Sequence, residues 1–183
     1  VTSMLQESIM QTRLQPITVL FSKFPRIIRD LAKKLGKEVE LTLVGQDVEL
    51  DKSIVELLSD PLTHLIRNSV DHGIEMPDKR AAAGKNRIGQ VVLRAFHEGG
   101  KVNIQIRDDG GGIDTERVRK KAVEKGLVTA ENAARLSELE VNRFIMAAGF
   151  STAERVTDVS GRGVGMDVVK TNIERLGGTI EIS

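Results

Sequence analysis

The sequence predicts an α+β fold, a two-layer sandwich in which helices cover one face of a β-sheet. Two observations favour this class. Apolar residues recur at helical spacing in several separate blocks, and residues 90–108 read as two strands around a Gly-Gly pair, which is typical of an antiparallel hairpin. The chain has 183 residues, of which 40% are hydrophobic, enough for one domain with a sizeable core.

Residue spacing and end signals predict the elements in order along the chain. Helices are expected over residues 4–14, 17–35, 53–73, 114–125, 138–147 and 166–176, and strands over 39–43, 90–98, 101–108 and from 179 onward. Asp60 before Pro61 is typical of a helix start, so the 53–73 helix is expected to begin again there. Residues 75–89 predict a connection with some helix, and residues 149–165, which lack apolar periodicity, predict a mobile loop.

Composition excludes several classes of function. There is no Cys, which excludes disulfides, thiolate metal sites and cysteine nucleophiles. The 27 basic and 26 acidic residues nearly balance and the only aromatic residues are five Phe, so no nucleic-acid partner is expected. No apolar run approaches the length of a membrane span, and we therefore expect a cytoplasmic protein with no direct membrane insertion.

The helix at 61–72 carries the first candidate site. At about 100° per residue, His64, Arg67, Asn68, Asp71 and His72 share one face, opposite an apolar face. An ordinary solvated helix face is one interpretation of this pattern. Two His and an Asn, which are short groups with directional donors and acceptors, instead favour a ligand that lies along the helix.

The second candidate site is the turn after the strand at 101–108. Asp108 shares strand parity with Ile106, so its carboxylate is expected to point toward the core, where it needs hydrogen-bond donors. Gly110 and Gly112 would let a flat ligand approach the backbone closely. The alternative is a tight turn in which Asp108 caps the helix that starts near Asp114.

The third candidate site is a glycine-rich loop, Gly161, Gly163 and Gly165, that runs directly into a helix start at Met166. Free backbone N–H groups at a helix start form an anion site. A flexible loop before a capped helix explains the same pattern equally well. A Rossmann site is excluded because no buried strand precedes the glycines, and a Walker site is excluded because no Gly-Lys-Ser/Thr is present.

Taken in order, the three motifs resemble the ATP-binding fold shared by histidine kinases, gyrase, Hsp90 and MutL. Residues 60–75, 149–152 and 160–170 are similar to the CheA family of chemotaxis histidine kinases. The resemblance implies a catalytic ATP-binding domain over 16–183, with a mixed, mostly antiparallel Bergerat-type sheet that is truncated at its C-terminal end. Residues 1–15 resemble the C-terminal end of the family's dimerisation helix.

The resemblance also implies roles for single residues. Asn68 would ligate Mg²⁺, His64 and Asn68 would be the catalytic pair, and Asp108 would accept a hydrogen bond from the adenine of ATP. The other nucleotide-binding residues implied are Asp71, His72, Gly110, Gly112, Lys121, Gly161, Gly163, Val164, Gly165 and Met166. Phe144 and Phe150 match a segment of the lid, with plain core packing as the alternative.

One position separates the enzyme classes that share this fold. Where gyrase-like ATPases have a water-activating Glu, this chain has His64, which favours transfer of the phosphoryl group over hydrolysis. The resemblance therefore implies a protein histidine kinase of two-component signalling, which transfers the γ-phosphoryl group of ATP to a histidine on a separate phosphotransfer domain. The alternative is a nucleotide-binding regulatory or scaffold module without useful catalysis.

The resemblance implies a set of partners as well. They are the phosphotransfer domain, the dimerisation and regulatory domains of the same full-length protein, and an array of chemoreceptors and coupling proteins. A homodimer is expected for the full-length protein.

Overall fold

The computed structural model describes residues 13–147 and 166–181. The chain divides into two units, residues 1–112 and 113–183. The elements of the first unit are β1 (Leu14–Pro16), α1 (Thr18–Phe21), α2 (Phe24–Leu35), β2 (Val39–Val44), β3 (Glu49–Asp51), α3 (Lys52–Asn68), a π-helical turn (Ser69–Gly73), α4 (Pro77–Ala82), β4 (Gly89–Glu98) and β5 (Lys101–Asp108). Those of the second are α5 (Thr115–Glu124), α6 (Ala130–Arg135), α7 (Glu138–Asn142), a 3-10 turn (Arg143–Met146) and α8 (Met166–Arg175).

The first unit contains a mixed sheet of order β2-β4-β5. Strand β4 runs parallel to β2 and antiparallel to β5, and β1 and β3 form a separate antiparallel pair. Gly99 and Gly100 join β4 to β5 with φ of 59° and 74°, backbone angles that suit glycine in a hairpin turn. The predicted hairpin is confirmed.

One face of β4 is buried and the other is not. Val91, Leu93 and Ala95 are buried, whereas Arg94 on the opposite face is exposed. Alternate residues of a strand point to opposite faces, so the core lies on one side of the sheet. Helix α2 contacts β2, and the π turn contacts β5. The expected α+β class, with a mixed sheet packed against helices, is confirmed.

Helix α3 is continuous, so the expected restart at Asp60-Pro61 is wrong. The helix begins after Asp51, whose side chain accepts from the Ser53 N–H at 2.9 Å, and Pro61 lies inside it. Pro61 removes one backbone hydrogen bond from the helix. The apolar face is nevertheless buried on both sides of the proline, at Leu58 and at Leu62. Packing of that face outweighs the local cost, because tertiary contacts supply most of the stability of a helix.

The carboxyl end of α3 widens into the π turn. Its closing bond joins the Ile74 N–H to the Ser69 carbonyl at 2.8 Å, and the chain leaves the helix after Gly73, as expected. Lys37 donates to two backbone carbonyls of this turn, at 2.8 and 2.6 Å. A cation at the carboxyl end of a helix stabilises its unpaired carbonyls, so Lys37 holds the turn in place.

The second unit is a small helical cluster around Val118, Ala122 and Val141, which are buried together. Helix α6 was not expected. Asp114 caps α5 by accepting from the Arg117 N–H at 3.1 Å. The strand expected from 179 onward is absent from the described residues, since 179–181 have no regular structure.

Other expectations fall partly or wholly outside the described residues. The expected 4–14 helix lies outside them except for its last two residues, where Leu14 belongs to β1 instead, and the loop at 149–165 lies outside them entirely. Across residues 13–147 and 166–181, no helix combines the length and the apolar character needed to cross a membrane.

Candidate functional site

Helix α3 and the π turn divide into a packed side and an open side. Ile66 and Val70 are fully buried against the core. His64 and Asn68 are half-buried, and Asp71 and His72 are exposed, with 3.8 Å between the Asp71 Oδ2 and His72 Nε2 atoms. The polar face predicted from the sequence is therefore accessible to a ligand.

His64 is neutral at pH 7. Burial lowers the pKa of its imidazole, and the nearby charges of Arg67 and His72 lower it further. A neutral imidazole has one donor and one acceptor nitrogen. His64 can therefore hydrogen-bond a ligand in either direction, but it brings no positive charge to the site.

Asp108 ends β5 on the buried side of the sheet. Its cross-strand partner is Val91, which is fully buried, so strand parity predicted its direction correctly. The Oδ1 atom accepts from the Gly110 N–H at 3.0 Å, and within the described residues Oδ2 accepts no hydrogen bond. Because Asp114 caps α5, the alternative role of Asp108 as that cap is wrong.

The π turn and the loop after β5 touch through glycines. A Cβ atom on Gly110 would lie 1.9 Å from the Gly73 carbonyl oxygen, and one on Gly73 would lie 3.0 Å from the Asp108 Oδ2 atom. The Gly111 N–H donates to the same Gly73 oxygen at 3.0 Å. At position 110, only a residue without a side chain permits this approach. The structure thus brings two of the three predicted motifs together at one place, with Gly112, at φ 73°, in the same loop.

The remaining candidates belong to the second unit or lie outside the described residues. Lys121, in α5, and Met166, the first residue of α8, belong to the second unit. Phe144 packs against the core of that unit, which supports its alternative role in packing. The candidates that lie outside the described residues are Phe150, Gly161, Gly163, Val164 and Gly165.

Sequence reasoning missed a cluster of charged side chains beside Asp108, formed by Glu75, Arg80 and Lys85, which we call the anchor cluster. Arg80 is 1% exposed and donates to Glu75 and Asp109, and Lys85 donates to Glu75. Charged residues in a predicted connection give no periodic signal of burial, because most charged side chains are exposed. The signal available was a Pro-initiated helix that carries charge immediately after the motif at 60–75.

The donor set suits a magnesium ion that is bound mainly by its substrate. No group of three or more His, Asp or Glu that could hold a metal is present within residues 13–147 and 166–181. Asn68 offers an amide oxygen, and Mg²⁺ commonly takes one or two protein oxygens and completes its shell with phosphate oxygens and water. The residues present therefore fit Mg²⁺ delivered with a polyphosphate.

Comparisons with known proteins identify the family of this chain and several relatives. Residues 58–183 match the family described as histidine kinase-, DNA gyrase B-, and HSP90-like ATPase. The chemotaxis protein CheA of Salmonella typhimurium is 58% identical over 178 residues, which are 97% of this chain and 26% of that protein. The sensor histidine kinase CheAY of Helicobacter pylori is 52% identical over 182 residues, 100% of this chain and 23% of that protein.

A solved histidine kinase domain, from the Erythrobacter litoralis EL346 blue-light activated histidine kinase, aligns with a TM-score of 0.39 at 16% identity and covers 55% of this chain and 45% of that one. The chain spans about a quarter of the length of the two curated relatives. Because the family match covers more than half of its residues, the chain belongs to the family of histidine kinase-, DNA gyrase B- and HSP90-like ATPases.

Proposed function

We propose that this chain is the ATP-binding catalytic domain of a CheA-like chemotaxis histidine kinase. The observation that carries the proposal is the contact between the π turn and the loop after β5, where Gly73, Asp108 and Gly110 meet. A single ligand can there reach a carboxylate for a base and the polar face of α3 for phosphates. Family membership and the CheA relatives support the same function.

The base would be recognised by Asp108. Its Oδ1 atom is already engaged by the Gly110 N–H, so Oδ2 is the atom that accepts from the exocyclic amino group of adenine. Guanine has a carbonyl oxygen at that position, and two acceptors would then face each other in a partly desolvated site. The proposal therefore includes a preference for ATP over GTP.

The phosphates would lie along α3 and the π turn. Asn68 would hold Mg²⁺, and when bound the ion neutralises charge on the transferring phosphoryl group. Asp71, His72 and Gly112 would contact the nucleotide from the first unit. The further contacts proposed from family resemblance alone are Lys121, Gly161, Gly163, Val164, Gly165 and Met166.

The acceptor would be a histidine on a separate phosphotransfer domain. Its imidazole nitrogen attacks with a lone pair, so the N–P bond forms as the bond from the γ-phosphorus to the β–γ bridging oxygen breaks, and ADP leaves. His64 stands where a gyrase-like ATPase would have a water-activating carboxylate, so the group that would favour hydrolysis is not at this position. His64 would instead hydrogen-bond a phosphate oxygen.

The proposal extends to the whole protein. The full-length kinase would be a cytoplasmic homodimer whose dimerisation and regulatory domains accompany this one and whose activity is set by a chemoreceptor and coupling-protein array. The name of the Salmonella typhimurium relative, a chemotaxis protein, supports a role in chemotaxis, and the family resemblance of the sequence carries the remaining statements.

A transfer assay tests the proposal. The chain is mixed with a purified phosphotransfer domain and ATP labelled at the γ-phosphate, with and without Mg²⁺. We expect label on the phosphotransfer domain only with Mg²⁺, and none on a domain whose acceptor histidine is replaced. Binding of ATP without transfer would support the regulatory or scaffold module instead, and release of labelled inorganic phosphate without transfer would support a hydrolase.

A further inference from the structure

The anchor cluster is buried against the loop that carries Asp108. Arg80, on α4, is 1% exposed, and its Nε atom donates to the Asn86 carbonyl at 2.7 Å. Its Nη1 atom lies 3.2 Å from the Glu75 Oε1 atom, and its Nη2 atom lies 2.9 Å from the Asp109 Oδ2 atom. One guanidinium therefore ties three chain segments together.

Lys85 completes the cluster from the other side of the loop. Its ammonium group donates to the Glu75 carboxylate at 2.9 Å and to the backbone carbonyls of Asp109 and Gly110 at 3.2 and 3.0 Å. Arg80 also donates to that Asp109 carbonyl, at 3.2 Å. The two residues that follow Asp108 thus have both of their carbonyls held by buried or half-buried cations.

The second oxygen of the Asp109 side chain is fixed as well. Its Oδ1 atom accepts from the Gln90 N–H on β4 at 2.8 Å. Desolvation raises the pKa of Asp109, but the Gln90 and Arg80 hydrogen bonds outweigh it and hold that pKa below its ordinary value. Asp109 is therefore an anion, and each of its two carboxylate oxygens accepts a hydrogen bond.

A buried guanidinium is an inefficient way to stabilise a fold. Its desolvation offsets most of the attraction to its partners, and well-packed apolar residues of similar volume usually do as well or better. What an ion network supplies is a defined geometry, because each donor fixes the direction of an acceptor. Here the fixed acceptors are the backbone atoms beside Asp108, whose own Oδ1 atom rests on the Gly110 N–H.

We propose that the anchor cluster sets base selectivity, by holding the Asp109–Gly110 backbone so that the Asp108 carboxylate meets the exocyclic amino group of the base. This inference rests on the proposed function. Glu75, Arg80 and Lys85 are then positioning residues, since none of them would touch the nucleotide. Their loss changes which base is preferred and not only how well the chain folds.

Selectivity is measured as a ratio of two affinities. Calorimetry on the 183-residue chain compares ATP with purine riboside triphosphate, which lacks the exocyclic amino group. We expect the unmodified chain to prefer ATP by about tenfold or more, the value of one hydrogen bond to a charged group. The Lys85 side chain is 35% exposed and is therefore easier to replace than that of Arg80. Lys85→Met should bring the ratio of the two affinities close to one.

The matched control is Lys79→Met, the same substitution at an exposed position on α4. Lys79→Met should keep the ratio of the unmodified chain. Arg80→Lys is the second variant, because it keeps the charge but cannot make the same set of hydrogen bonds, and it should also lower the ratio. Urea unfolding of each variant reports whether the chain is folded under the conditions of the binding measurement.

Each outcome decides a different statement. If the unmodified chain binds neither triphosphate, the proposed function is refuted, and the inference with it. If it prefers ATP and Lys85→Met keeps the full preference, the inference alone is overturned. If Lys85→Met weakens the binding of ATP and of purine riboside triphosphate equally, or if the variant does not fold, the cluster has a structural role and the inference is also overturned.

Discussion

Replacing Asp108 by Asn should abolish most of the affinity for adenine nucleotides while leaving the fold intact. Asn has the shape of Asp, and its amide oxygen can keep the 3.0 Å bond from the Gly110 N–H. That bond orients the side chain. With the oxygen facing Gly110, the amide NH₂ group takes the place of Oδ2.

The magnitude follows from this orientation. In the variant, two donors would face each other where a carboxylate had accepted from the adenine amino group. The lost interaction is a hydrogen bond to a charged group, worth about 1.5–3 kcal/mol, which corresponds to about a tenfold to hundredfold loss of affinity. The free energy of unfolding should change little, because the internal hydrogen bond is retained.

Calorimetric titration with ADP and with ATP measures the loss, and urea unfolding checks the fold. Asp47→Asn, in the exposed turn between β2 and β3, is the matched control, because it removes the same charge away from the site. Unchanged nucleotide affinity in a folded Asp108→Asn chain would refute the assignment of Asp108 to the base. An equal loss in Asp47→Asn would show that net charge, and not a base contact, controls binding.

Three further predictions concern the metal, the glycine contact and acid stability. Asn68→Ala should reduce Mg²⁺-dependent phosphoryl transfer far more than it weakens ADP binding measured in a metal chelator. Gly110→Ala should destabilise the chain by about 1–3 kcal/mol in urea unfolding, since its Cβ atom would meet backbone at 1.9 Å, whereas Gly111→Ala, with its nearest atom at 3.9 Å, should not. The Lys85 hydrogen bond is the main cause that lowers the pKa of Glu75, and the pKa of Asp109 is lowered despite desolvation. Both carboxylates therefore stabilise the folded chain while they are ionised. That stability should be lost as pH falls from about 4, the pKa of such groups in the unfolded chain, through their lower pKa values in the folded chain. A urea midpoint that does not fall over that range would contradict the role given to these carboxylates.

Elements with a strong local signal were predictable from the sequence. The alternation at 39–43 predicted strand β2, and Gly99-Gly100 predicted the hairpin turn. Both signals are local, because a half-buried strand alternates apolar and polar residues and a two-residue turn favours glycine. Strand parity also predicted the direction of Asp108. Each of these inferences depends on a few neighbouring residues.

Elements decided by distant contacts were not predictable. Asp60-Pro61 has the local chemistry of a helix start, yet α3 runs through it, because its apolar face is packed on both sides of the proline. The widening of α3 into a π turn left no sequence signal, and Lys37, which caps it, is remote in sequence. The helical connection at 75–89 was expected, but the burial of Arg80 within it was not.

The candidate site divides in the same way. Its ligand-facing residues carry a motif signal, because a ligand needs particular side chains at fixed spacing. Its supporting residues carry none, because an ion network can be built from many combinations of charged residues. The roles of residues 149–165 remain predictions, since they lie outside the described part of the chain.

The state of His64 explains why the metal should matter so much to this site. A protonated histidine on α3 would supply positive charge to the phosphates, but burial keeps the pKa of His64 low and the imidazole neutral. His72 is exposed and stands beside the Asp71 carboxylate, with 3.8 Å between the Nε2 and Oδ2 atoms. Within this face of the first unit, charge on a polyphosphate would then be met by the Arg67 guanidinium and by the ion that Asn68 would hold. An amide that holds a divalent cation should then influence the rate of transfer more than either histidine does.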